Sequence, residues 1–149
     1  MSYVEKSLMN GEEILYQAKL HWIVFFSPIL LFLVAIVLFA ITPVAAVAFL
    51  LVSIIMAISS FVNYKSSEFA ITNKRVIVKV GFIRRDSLEV LLNKVEGIQV
   101  NQGILARILG FGSITVSGTG GTKDPFHKIS SPLEFRKKAQ EQIAIVQKV

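Results

Sequence analysis

From Trp22 to Val62 the chain carries no Asp, Glu, Lys, Arg or His. A helix rises 1.5 Å per residue, so a hydrocarbon layer of ~30 Å takes about 20 residues, and this run is about twice that long. Thr42-Pro43 breaks it at the centre. Proline cannot continue a helix from the turn before it, and it pushes the preceding residue out of the α region. The pattern therefore predicts two spans, Trp22–Ile41 and Val44–Val62, joined by a tight uncharged turn. Pro28 falls near the start of the first span, where a helix tolerates proline best.

The flanks set an expected orientation. Trp22 and Tyr64 stand at the outer ends of the two spans, with Lys19 and Lys65 just beyond and Lys74 and Arg75 close behind. These four side chains at the ends (Lys19, Trp22, Tyr64, Lys65) read as interface anchors, and the turn offers no positive charge. Both termini are then expected in the cytoplasm, with the hairpin in a bacterial-type inner membrane. A cleaved signal peptide fits poorly: the apolar stretch is too long, the residues before it are acidic on balance, and a second span follows. A buried soluble hairpin fits poorly too, because no helix face is polar. A re-entrant hairpin is the closer alternative, since the second span by this reading is barely long enough.

Outside the run the composition is that of a water-soluble chain. Over all 149 residues 17% are charged, against about a quarter in a typical soluble domain. The formal net charge of +6 is lopsided: residues 1–21 are slightly acidic and everything after the spans is basic. Basic charge beside a membrane points first to anionic headgroups. No nucleic-acid-binding module is visible. There is no cysteine, which excludes disulfides, cysteine-ligated metal and a thiol nucleophile.

After Tyr64 the period becomes that of strands. Phe69–Thr72, Arg75–Val80, Leu88–Leu92, Val95–Val100, Ser113–Ser117 and Phe126–Ile129 read as six short strands, with Asn73-Lys74, Gly81 and Gly118–Gly121 as turns. Ile14–Gln17 is a weak candidate for another. Gly103–Gly110 reads as a short helix with Ile104, Leu105, Ile108 and Leu109 on one face. Ser131-Pro132-Leu133-Glu134 has the form of a capping box opening a C-terminal helix over 132–147, with Phe135, Ala139, Ile143 and Val146 as its apolar stripe. The expected domains are a cytoplasmic segment 1–21, a hairpin 22–63 and a globular part 64–149. The fold class is α+β: a two-helix hairpin followed by a β-barrel or curled sheet with a C-terminal helix.

Ile71–Val76 (ITNKRV), the strand-ending Gly81, Gln102–Gly110 (QGILARILG), Gly11–Leu15 (GEEIL) and His21-Trp22 together resemble the bacterial pleckstrin-homology-like membrane proteins (YdbS-like). The similarity spans essentially the whole chain and includes no catalytic signature. It implies a pleckstrin-homology-like barrel, normally of seven strands, and a role in interaction or assembly. Such domains often hold phosphate headgroups.

Lys74, Arg75, Lys79, Arg84 and Arg85 gather around the first hairpin, and alternation places Arg75 and Lys79 on one face. They are candidates for headgroup or partner contact; the plainer alternative is a solvated basic face. The apolar face of Ile104, Leu105, Ile108 and Leu109 is expected to cap the barrel, with an exposed contact to lipid or a second subunit as the alternative. Gly118–Lys123 (GTGGTK) fails the phosphate-loop pattern and reads as a hairpin loop. Asp124 and His127 lack the further ligands of a metal site, and His21 is expected at the interface beside Trp22. With no nucleophile–base pair or paired carboxylates, no enzyme activity and no cofactor are expected. The leading expectation is an adaptor for another protein or for copies of itself. Small residues Ala45, Ala46, Ala48, Ser53 and Ala57 would allow packing between spans of different copies. A lipid-binding module is the alternative, and an accessory subunit of a membrane enzyme or transporter comes third.

Overall fold

The computed structural model describes residues 3–82, 85–122 and 125–148. A short helix α1 (Tyr3–Ser7) and strand β1 (Ile14–Ala18) precede a 3-10 turn (Trp22–Phe25), which runs into helix α2 (Phe26–Phe39). Helix α3 (Pro43–Ser66) returns the chain to strands β2 (Glu68–Thr72), β3 (Arg75–Val80) and β4 (Asp86–Leu91). Then come β5 (Val95–Asn101), helix α4 (Ile104–Leu109), β6 (Phe111–Gly118), the two-residue β7 (Gly121–Thr122), β8 (Phe126–Ser130) and helix α5 (Pro132–Gln147).

All pairings are antiparallel. One sheet has the order β1-β2-β3-β4; in the other β6 is central, with β5 on one side and both β7 and β8 on the other. The eight strands thus fill seven positions, the number the resemblance implied. The weak candidate at Ile14–Gln17 is a true strand: Gln17 pairs with Ala70 and Ala18 with Phe69. The globular part therefore does not begin at residue 64. The apolar hairpin is an insertion between two neighbouring strands, and a boundary drawn along the chain could not show that.

The sheets enclose Phe69, Ile71, Val76, Val78, Leu92, Ile114, Val116 and Ile129, all fully buried. Helix α5 closes the core with Phe135 and Ala139, and burial of a side chain such as Phe135 contributes about 1.5–3 kcal/mol. The expected stripe and bounds of α5 hold, but the capping box does not form. Ser131 sits at φ 49°, and its side chain makes no capping bond. A capping side chain needs extended backbone at that position. Here β8 turns directly into the helix, and Ser131 N–H donates to Gly110 O at 3.0 Å. Glu134 instead bonds the Tyr16 hydroxyl.

The outer face of β2 and β3 is also covered. Ala70 and Ile77 pack against Val4 of α1, with Leu8 and Ile14 beside it. Both faces of these strands are buried, which explains the unbroken apolar run Val76-Ile77-Val78 at the centre of β3.

The 3-10 turn and α2 together cover 18 residues and about 29 Å, and the 24 residues of α3 cover about 36 Å. Proline at the first turn starts α3, so the helix begins before Val44 and continues past Val62 by four residues. The second apolar helix is therefore comfortably long. Only 17% and 11% of the two apolar windows is buried, unlike the core helices of a soluble protein. Their seam is built from small residues. Pro28 and Ala35 on α2 and Ala46 and Ser53 on α3 are buried, and Ser53 Oγ donates to Pro28 O at 2.9 Å. Ser60, seven residues on, donates to Val24 O at 3.2 Å. Ala46 and Ser53 are thus buried within the hairpin, where close backbone approach requires small side chains.

Candidate functional site

The basic cluster around the β2–β3 turn is a clamp on the N-terminal segment. Arg75 is buried. Its Nε donates to Glu12 Oε1 at 2.9 Å, its Nη2 to Glu12 Oε2 at 3.0 Å, and its Nη1 to Glu89 Oε2 at 2.6 Å. Glu12 also accepts from Thr72 Oγ1 at 2.7 Å and from Met9 N–H at 2.8 Å. Burial alone would raise the Glu12 carboxyl, but the hydrogen bonds from Arg75, Met9 and Thr72 and the Arg75 charge hold it below the ordinary carboxylate value. Arg75 is pushed up, chiefly by its bond to Glu12. Lys74 Nζ donates to Asn10 O at 2.8 Å, and the Asn73 amide spans Gly11 O and Glu13 N–H. Lys79 lies 4.1 Å over the Tyr3 ring, and Glu68 accepts from the N–H groups of Tyr3 and Val4.

Alternation does place Arg75 and Lys79 on one face, but the N-terminal segment covers that face. Arg75 is therefore not available to a headgroup, and Lys74 and Lys79 are already engaged. Local sequence could not reveal this, since the partners lie some sixty residues upstream. Arg84 lies outside the described residues. Arg85 is exposed, 5.9 Å from the Phe82 ring.

Arg85 lines an open cleft of about 1420 Å³ where the base of the helical hairpin meets the two sheets. Leu20, Val24, Ser60 and Asn63 form its hairpin side, and Lys94 and Lys128 bring further positive charge beside the acidic Asp86 and Glu89. His127 faces the same cleft, 2.8 Å from Ser113 Oγ, while Asp124 lies outside the described residues. Among the described residues no group of three or more His, Asp or Glu residues lies together. Gly118–Gly121 makes the β6–β7 turn, with Gly121 at φ 101°, so GTGG is a hairpin connection.

The chain leaves the barrel at His21-Trp22. His21 is buried, its ring centroid 5.2 Å from Trp22 and 5.3 Å from Phe111. Its Nδ1 accepts from Ile23 N–H at 3.2 Å, and the ring also bonds the Leu109 backbone. Burial pushes the imidazole down, against the smaller upward effect of that Leu109 bond. Tyr16 is pushed up by burial, with the charge and hydrogen bond of Glu134 adding to it. Tyr64 meets Phe25 at 5.6 Å, Trp22 is about half exposed, and Lys19 and Lys65 are exposed. The four expected anchors thus sit at the base of the hairpin.

Helix α4 departs from expectation. Ile104, Leu105 and Ile108 are 83%, 72% and 76% exposed and Leu109 is 41% exposed, so this face does not cap the barrel. Only Ala106 turns inward. The remainder of the QGILARILGFG stretch is architectural. Gly110 ends α4 at φ 82°, and a Cβ on Gly112 would stand within 3.0 Å of Gln102, Asn101 O and Pro132.

This arrangement, two antiparallel sheets closed by a C-terminal helix, coincides with a match between residues 26–143 and the family model described as bacterial PH domain. The chain belongs to the bacterial PH domain family. Neither the curated proteins nor the solved structures offer a match. In this bacterial PH domain the segment between β1 and β2 is the apolar hairpin itself.

Proposed function

We propose that the chain is a non-catalytic adaptor: a bacterial PH domain held permanently at the cytoplasmic face of a membrane by a helical hairpin that crosses twice, where it presents its surface to another protein or to a second copy. The observation that carries this reading is the pairing of β1 with β2 around the hairpin. Three residues separate Ala18 from the helical turn at Trp22, and Ser67 alone separates α3 from β2. There is no flexible linker, so the domain cannot leave the bilayer surface. A domain anchored in this way does not need headgroup affinity for its location, and most of the basic cluster is spent on the N-terminal clamp. The apolar length and lipid-like exposure of both helices support the crossing.

The test is site-specific photo-cross-linking from the full chain in native membranes, with probes at Leu91 on β4 and Gln99 on β5, the strands at the ends of their sheets. A discrete protein adduct, to a partner or to a second copy, is expected at one of these edges. Adducts to lipid alone would remove the adaptor reading. A lipid-binding module is the second reading, favoured by Arg85, Lys94 and Lys128 around the cleft. It requires hydrogen exchange at the cleft to slow when the full chain moves from neutral to anionic nanodiscs.

A further inference from the structure

Ile104, Leu105 and Ile108 are the three most exposed large apolar side chains among the described residues outside the hairpin. They belong to one rigid turn. Gly110 caps α4, Ala106 packs inward, and Gln102 Nε2 fixes the exit by donating to Phe111 O at 2.7 Å. The end of α4 lies at the point where the chain departs for the hairpin: the ring of Phe111, two residues past Leu109, sits 5.3 Å from that of His21. Trp22, itself half exposed, is the next residue. Arg107 on the same short helix is exposed. An exposed aliphatic face with a cation beside it, on a helix that ends near the residue before Trp22, has the composition of a segment lying in the headgroup–acyl boundary.

We infer that α4 is a second membrane contact, with Ile104, Leu105 and Ile108 dipping into the same lipid leaflet through which the hairpin enters. Lipid is the occupant because α4 ends beside the point where the chain enters the hairpin, with Phe111 against His21. The contact would fix the tilt of the barrel as well as its attachment, since a hairpin alone leaves the domain free to lean. The inference rests on the hairpin crossing the bilayer.

The chain lacks cysteine, so single-cysteine variants report cleanly. Leu105→Cys, Ile108→Cys, Val52→Cys in the middle of α3 and Gln140→Cys on the exposed side of α5 would each carry an environment-sensitive fluorophore. The full chain would be reconstituted at one copy per nanodisc, with spin-labelled lipids quenching at shallow or deep positions. Leu105→Cys and Ile108→Cys are expected to emit to the blue of Gln140→Cys and to be quenched more by the shallow label. Val52→Cys should be quenched more by the deep label. Water-like, unquenched emission at 105 and 108 with a quenched Val52 site would overturn the inference and leave the hairpin reading intact. An unquenched Val52 site would overturn both. Blue emission at 105 and 108 only at several copies per disc, without lipid quenching, would assign the face to a second copy and overturn the lipid contact.

Discussion

Arg75 and Glu12 form a doubly hydrogen-bonded ion pair in which the carboxylate is fully buried, joining β3 to the segment ahead of β1 across the whole length of the hairpin insertion. Removing one partner of a buried pair leaves a desolvated charge and costs about 3–5 kcal/mol. Glu12→Gln is expected to lose about 3 kcal/mol, because Glu89 retains part of the compensation. Chemical denaturation of the barrel in mild detergent measures it. The carboxyl is held below its ordinary value, so its stabilisation is present above the ordinary value of 4.5 and disappears as pH falls through the folded value. The difference between the wild type and Glu12→Gln should therefore vanish in acid.

Because the hairpin enters and leaves between adjacent antiparallel strands, it should be removable. Residues 3–20 joined to 67–149 by a short turn are expected to give a water-soluble folded domain once the apolar face of α4 is made polar. Residues 64–149 alone lack β1 and leave Arg75 without Glu12, and they are expected not to fold. Dispersion in amide NMR spectra distinguishes the two products.

Within the hairpin, Ser53 combines small volume with a hydrogen bond to Pro28 O. Ser53→Ala should cost about 0.6 kcal/mol, the average for such bonds in a membrane bundle. Ser53→Leu should cost about 1–3 kcal/mol by forcing the helices apart. Reversible unfolding in bicelles reads both.

His21 Nδ1 accepts from Ile23 N–H, a bond that only the neutral ring can make. Burial lowers its proton affinity below the ordinary value of 6.5, so its stabilisation is full above that value and declines as pH falls toward the folded value. Acidification from pH 7 to 5 should lower the protection factors of Ile23 and Phe111 once the intrinsic pH dependence of amide exchange is divided out, and His21→Phe should abolish that fall.

Topology can be read with membrane-impermeant thiol reagents. Thr42→Cys in the turn between α2 and α3 is expected to react only from outside intact cells. Asn10→Cys and Gln140→Cys should react only after the membrane is opened.

The amino-acid order alone determined the local features. An uncharged run broken by Thr42-Pro43 yields two apolar helices wherever it is placed, and alternation across Arg75–Val80 yields a strand with Arg75 and Lys79 on one side. These follow from period and from proline chemistry, and both depend on near neighbours. The tertiary structure decided what the faces meet. Glu12 reaches Arg75 only because β1 pairs with β2 across the inserted hairpin, so a basic cluster that local reading offers to lipid becomes an internal clamp. Chain closure likewise left the aliphatic face of α4 uncovered, because His21, Phe111 and Ser131 fix that helix beside the hairpin base and not over the barrel. Burial is a property of which distant segments meet, and periodicity carries no information about that.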